Sequence, residues 1–175
     1  MVITKKTIWT PDNSYLLEYR AKAETGEIVI GQELWTELDN LNEDLKNDRY
    51  IFDRSDALLR MDFMENCVRL TKSPYYNKPM KLMLWQKALI EAFYSFKFAE
   101  SGVDRFKKLL LLIARKNTKS ELSSALAESE LIVGNAGADI VASSNDDAQA
   151  AIVYDAIDTM RQLIDPKDQD TKRNQ

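Results

Sequence analysis

The chain contains no histidine. That absence removes His-containing metal sites, Ser-His-Asp triads and Cys-His dyads at once. Any catalysis must draw on lysine, arginine, carboxylates, hydroxyls and a bound cation. There is one cysteine, Cys67, so an internal disulfide framework is excluded, which fits a reducing cytoplasm. Cys67 itself is expected to be a small buried apolar residue. No apolar run approaches the roughly 18 to 20 residues needed to cross a bilayer. The first residues, Met1-Val2-Ile3-Thr4-Lys5-Lys6, lack an apolar signal core, so a soluble, unsecreted chain with no membrane partner is expected. No internal repeat or extended low-complexity tract interrupts it.

What is present is a chain of 175 residues with 30% charged side chains and a net charge of −4. That length holds one domain, or a domain with a helical prefix, and buries a real core. The net charge argues against a surface coated for nucleic-acid backbone. Charge is uneven, however. Between Asp104 and Lys119, the cations Arg105, Lys107, Lys108, Arg115, Lys116 and Lys119 face only Asp104, and a local basic patch of this kind suits a polyphosphate better than a long duplex.

The same region holds the most informative pattern. The apolar run Leu109-Leu110-Leu111-Leu112-Ile113 stops at Ala114-Arg115-Lys116-Asn117-Thr118-Lys119-Ser120 and leads directly into a helix-forming segment. A buried strand, a loop with inward N–H groups and a helix amino terminus together make a phosphate cradle. In such a cradle Lys119 neutralises the terminal phosphates and the Ser120 hydroxyl ligates Mg²⁺. A full P-loop reads G-x-x-x-x-G-K-[ST]; here Ile113 and Thr118 stand where the two glycines belong. The β-branched Thr118 adds bulk where the backbone approaches phosphate. The alternative reading makes Arg115, Lys116 and Lys119 solvated charges at a strand-to-helix connection.

Along the chain, the first hundred residues read as helical and the rest as alternating strand and helix. Asn13 or Ser14 caps a helix using Tyr15, Leu16, Tyr19 and Ala23 that Gly26 ends. Leu34, Leu38, Leu41 and Leu45 mark a second, amphipathic helix. From Ser55 to Leu70, Leu58, Met61, Met64 and Val68 form one apolar stripe and Leu59, Phe63, Cys67 and Leu70 another. Pro74 and Pro79 make residues 71 to 83 a loop. Trp85, Leu89, Phe93 and Phe96 then share a helix face and are read as core.

After the Leu109–Ile113 strand, Leu122, Ala125, Leu126, Ser129 and Val133 give a helix packed on a sheet. Ala138 to Ser143 is a second short strand, and Ser144 caps a helix running to about Ile164, with Ile152, Ala156, Met160 and Leu163 inward. Strand, helix, strand, helix with short connections predicts parallel pairing. The expected fold is α/β: a helical prefix over 1–80, an incomplete P-loop NTPase core with a parallel sheet over 81–165, and a polar tail over 166–175. Such a core needs a carboxylate for Mg²⁺ at the end of a neighbouring strand. Asp155 follows an apolar run, but its helical spacing places it on a helix.

The ordered motifs resemble the large subunit of tailed-phage terminases, the DNA-packaging motor, over nearly the whole chain. Gly26-Glu27-Ile28-Val29-Ile30 is similar to that family's amino-terminal Gly-Glu-Ile segment, and Arg49-Tyr50-Ile51-Phe52-Asp53 to its Tyr-x-Phe-Asp. Leu82-Met83-Leu84-Trp85-Gln86 resembles the adenine-recognising Leu-x-Pro-Trp-Gln, with Leu84 in place of proline. Ala114 to Ser120 resembles Arg-Lys-Asn-Gly-Lys-Ser, a Walker A form that commonly lacks the first glycine. Asp147-Ala148-Gln149-Ala150 resembles the Asp-x-Gln-Ala after the second strand.

The resemblance implies ATP and Mg²⁺ as cofactors. Trp85 and Gln86 would read adenine, with Gln86 using its amide as donor and acceptor. Arg115, Lys116, Asn117, Thr118, Lys119 and Ser120 would form the phosphate loop. Lys119 would bind the β- and γ-phosphates, Ser120 would hold the metal, and Arg115 would stabilise charge on the transferred phosphoryl group. The implied partners are a portal protein, a small terminase subunit and double-stranded DNA, in the host cytoplasm, with a ring of copies formed only on the portal. The family's Walker B acidic pair, coupling motif and nuclease carboxylates would lie beyond Gln175, so neither DNA cleavage nor efficient ATP hydrolysis is expected of this chain alone. Two other readings stay open: a truncated, inactive prophage remnant serving as a protein-binding module, and part of another P-loop translocase or helicase.

Overall fold

A computed structural model of the chain describes residues 7–114, 117–144 and 146–167. The elements are, in order, α1 (Tyr15–Glu24), α2 (Gln32–Asp44), β1 (Tyr50–Phe52), α3 (Ser55–Asn66), α4 (Leu84–Ser95), β2 (Phe96–Phe98), α5 (Lys119–Val133) and α6 (Asp147–Ile164). They divide between two compact units. One holds the residues up to Leu58 together with Met83–Leu109, and the other holds Leu59–Leu82 together with the residues from Leu110 onward.

In the first unit, α1 begins where Ser14 adopts extended backbone and its Oγ accepts the Leu17 N–H at 3.3 Å. This bond satisfies one of the donors that a helix start leaves open. Gly26, at φ 79°, takes the left-handed turn just past the end of the helix. The core gathers Leu16 of α1, Leu38 and Leu41 of α2 and Phe96, with Tyr50, Phe52 and Phe106 packed against them. Full burial of such side chains contributes about 1.5–3 kcal/mol each. β1 and β2 pair antiparallel in the register Tyr50↔Phe98, Ile51↔Lys97, Phe52↔Phe96. Aromatic residues fit a pleated, half-buried surface, and the Phe52 and Phe96 rings meet edge to face at 4.7 Å.

A polar knot ties α1 to α4. The wholly buried Glu91 carboxylate accepts the Ser14 hydroxyl at 2.8 Å, the Leu16 N–H at 2.7 Å and the Arg54 Nε–H. A carboxylate at a helix amino terminus also complements the helix dipole. Arg54 lies over the Tyr15 ring at 5.4 Å and the Trp9 ring at 5.9 Å, so the ion pair is sealed by aromatic surface.

In the second unit, Met61, Phe63 and Met64 of α3 are buried, as are Val68, Met80, Leu82, Leu122 and Ala125, and Ala156 and Met160 of α6. α5 packs along α6. Arg60, itself buried, holds Glu130 of α5 with two parallel bonds of 2.9 and 3.0 Å, a fork geometry that fixes direction as well as distance. Between α3 and Leu82 the chain folds back on itself: Arg69 and Pro79 form an antiparallel bridge, the Met80 N–H donates to the Val68 carbonyl at 3.1 Å, and the Leu70 N–H donates to the Lys78 carbonyl at 2.9 Å.

Among the described residues the only sheet is the two-stranded antiparallel β1–β2 pair, so the expected parallel sheet of a P-loop core is absent from them and the fold is helix-rich. Neither Leu109–Ile113 nor Ala138–Ser143 is a strand. The physical reason is that a strand exists only through its ladder, and neither segment meets a partner among the described residues. Leu110 and Leu112 are 81% and 82% exposed, and Val141 is 86% exposed, the opposite of a central strand buried on both faces. α5 accordingly packs on α6 and not on a sheet. The helix expected through Phe96 ends at Ser95, because Phe96 leaves as β2. Cys67 is exposed, since the inward position just past α3 is taken by its neighbour Val68, which is fully buried.

Candidate phosphate-binding site

α5 starts at Lys119, with Ser120 next in its first turn. The residue before it, Thr118, has φ 57° and ψ 17°, the left-handed region. A residue with a Cβ pays about 1–2 kcal/mol to sit there. That conformation is the one for which glycine serves in a tight loop before a helix, and it turns the chain sharply into α5. No side chain caps the helix, and the first intrahelical bond runs from the Leu122 N–H to the Thr118 carbonyl at 2.8 Å. The N–H groups of Lys119, Ser120 and Glu121 thus lie along the axis with no intrahelical acceptor, at the positive end of the helix dipole.

The side chains of this turn divide their tasks. Lys119 is exposed and Ser120 half-buried, and Lys119 forms no ion pair among the described residues. Thr118 uses its hydroxyl to donate to the Asn117 carbonyl at 2.7 Å. Glu121 is buried and faces elsewhere, accepting the Thr71 hydroxyl at 2.7 Å and the Thr71 N–H at 3.3 Å. Its partners are neutral donors, so its negative charge stays in the first turn and offsets part of the positive dipole end, while Lys119 projects its own charge to solvent. Arg115 and Lys116 lie outside the described residues.

The implied Mg²⁺ takes its oxygens mostly from phosphate and water, with one or two protein ligands. The Ser120 hydroxyl fits that demand. Among the described residues no group of three or more His, Cys, Asp or Glu is placed to hold a metal ion.

The expected adenine-reading pair belongs to the first unit, whereas Thr118, Lys119 and Ser120 belong to the second. Trp85 is half-buried and Gln86 fully so. The Gln86 Oε1 accepts the Met83 N–H at 2.8 Å, so one lone pair of the amide oxygen is spent on closing the start of α4. Asp155 lies within α6, as its helical spacing predicts.

A buried acid that the motifs did not signal sits two turns into α5. Glu128 is 1% exposed, and its Oε2 has no hydrogen-bond partner among the described residues. Desolvation pushes its carboxyl from 4.5 up to about 7, opposed by the charge of Arg161 and assisted by that of Asp158, both on α6. The available signal was spacing: Glu121, Ser124 and Glu128 fall on the same helical face as Leu122 and Ala125. The chain matches no family model, no curated protein and no solved structure.

Proposed function

We propose that the chain is a nucleotide-binding, amino-terminal portion of a terminase-like DNA-packaging motor, holding the phosphates of ATP with Mg²⁺ at the foot of α5. The observation that carries this reading is the left-handed Thr118 immediately before Lys119 and Ser120. A residue that bears the cost of a glycine conformation at the glycine position of the resembled loop is a specific coincidence of motif and backbone. Lys119 supplies charge to the β- and γ-phosphates, the N–H groups of the first turn donate to phosphate oxygens, and Ser120 offers its hydroxyl to the cation. Arg115 and Lys116 enter this proposal by resemblance alone. The partners that go with it are a portal protein, a small terminase subunit and double-stranded DNA in the host cytoplasm.

The reading assigns phosphate binding to the described turn and no hydrolytic step. A calorimetric titration with ATP and Mg²⁺, run on the wild-type chain and on Lys119→Ala, tests it. Binding weakened at least tenfold by Lys119→Ala is expected, since a charge-assisted contact to phosphate is worth about 1.5–3 kcal/mol. An absence of binding, or binding indifferent to Lys119, would eliminate the nucleotide reading.

A further inference from the structure

The fold-back between α3 and Leu82 has a composition unlike the rest of this acidic chain. From Asn66 to Ile90 there is no carboxylate, while Arg69, Lys72, Lys78, Lys81 and Lys87 supply positive charge. The base of the fold-back is fixed. Val68 and Met80 are buried in its two arms, the Leu82 N–H donates to Glu65 Oε1 at 3.0 Å, and Thr71 is held by Glu121. The tip is exposed from Lys72 to Pro79. There the Tyr75 N–H donates to the Lys72 carbonyl at 3.0 Å, the Lys78 N–H donates to the Tyr75 carbonyl at 3.0 Å, and Asn77 turns the chain at φ 60°. This folded tip presents Tyr75 and Tyr76 to solvent at 58% and 56% exposure.

No ion pair neutralises Arg69, Lys72, Lys78 or Lys81 among the described residues. Lys78 instead stands over the Tyr75 ring, with its Nζ 5.4 Å from the centroid. Unpaired cations flanking exposed aromatic faces on an anchored loop match the demands of one ligand class. Phosphates along a strand need spaced positive charge, and unstacked bases need π-faces. An acidic protein surface would use the cations but would leave two exposed tyrosine rings without a specific counterpart. Duplex nucleic acid keeps its bases stacked away from such rings.

We propose that the tip of this fold-back, Tyr75 and Tyr76 with Lys72, Lys78 and Lys81, is a binding site for single-stranded nucleic acid. Bases stack on the tyrosines while the lysines track the backbone. The site is independent of the nucleotide reading, and a chain that ignored ATP would still bind the strand.

The test is fluorescence anisotropy with a fluorescein-labelled oligothymidylate and the full chain across a salt series, beside a duplex of the same length and polyglutamate. Saturable binding that weakens with salt is expected. Tyr75→Ala/Tyr76→Ala should weaken it roughly fivefold or more per tyrosine, and Tyr75→Phe/Tyr76→Phe should retain it. Lys72→Ala/Lys78→Ala should flatten the plot of log affinity against log salt by about 1.4. These side chains are solvent-facing, and unchanged circular dichroism would verify that each variant folds. No saturable binding, equal binding of polyglutamate, tighter binding of the duplex, or indifference to loss of the tyrosine rings would each overturn the proposal.

Discussion

Thr118 concentrates the tension between local cost and proposed use. Its left-handed backbone is strained for a β-branched residue, so Thr118→Gly should raise stability by about 0.5–1 kcal/mol, the relieved strain less the added chain entropy of glycine. The same change should tighten nucleotide binding by removing bulk near the β-phosphate. Urea unfolding and a nucleotide titration check the two halves; a lowered midpoint would mean that the left-handed turn does not exist in solution, and unchanged or weaker affinity would mean that Thr118 never crowded the ligand. Glu128 gives a second test. Its folded pKa, about 7, lies above the 4.5 of the free side chain, so the folded state holds a proton that the unfolded state releases. Stability is therefore greatest below about pH 4.5 with respect to this group, falls as pH rises, and has lost that contribution above about pH 7. Glu128→Gln should flatten this dependence and raise stability at pH 8 by on the order of 1 kcal/mol. Equal pH slopes for wild type and variant in urea denaturation would show that Glu128 is solvated. At such positions the sequence was only partly legible. The Lys119–Ser120 start of α5 followed from the motif, but the burial of Gln86 and Glu128 and the exposure of Cys67 depend on which way each helix faces its neighbours.

The helices were legible because apolar residues recur with the period of a helix over three or more turns. Ser14 as the cap of α1 and Gly26 as its stop both follow from local backbone chemistry. The strands were not legible. Leu109–Ile113 is apolar on both faces and reads as a buried strand, yet whether such a run becomes a strand depends on a partner that no local pattern contains. Conversely, Tyr50–Phe52 and Phe96–Phe98 are three residues each, too short for periodicity to separate from the helices beside them. The join between α1 and α4 rests on Glu91, whose role is visible only once Ser14, Leu16 and Arg54 have converged on it. Glu91→Ala should cost about 3–5 kcal/mol, because it leaves the Arg54 charge uncompensated beside an open helix start. Glu91→Gln should cost less, since the amide oxygen still accepts two of the three donors. Equal midpoints for wild type and Glu91→Ala in thermal unfolding would mean that water replaces the carboxylate and the knot contributes nothing.

Across the molecule, an acidic total conceals two basic stretches, one leading into α5 and one over residues 66–90, which includes the fold-back. Both lie where backbone geometry, and not charge alone, offers something to an anion: open N–H groups in the first case, anchored aromatic rings in the second. No helix among the described residues is long and apolar enough to cross a membrane. The helical character of the first hundred residues could be read from the sequence, whereas the helix-rich fold class, expected to be α/β with a parallel sheet, and the division into two units of discontinuous segments could not, because both arise from contacts between distant residues. The proposed phosphate site at the foot of α5 is tested most directly by backbone amide NMR during addition of Mg²⁺ and ADP. The N–H resonances of Lys119, Ser120 and Glu121 are expected to move first and furthest, and in Lys119→Ala those of Ser120 and Glu121 should need at least about tenfold more nucleotide to move as far. Saturation with nucleotide that leaves those three amides unmoved, or moves only residues of other elements, would contradict the site.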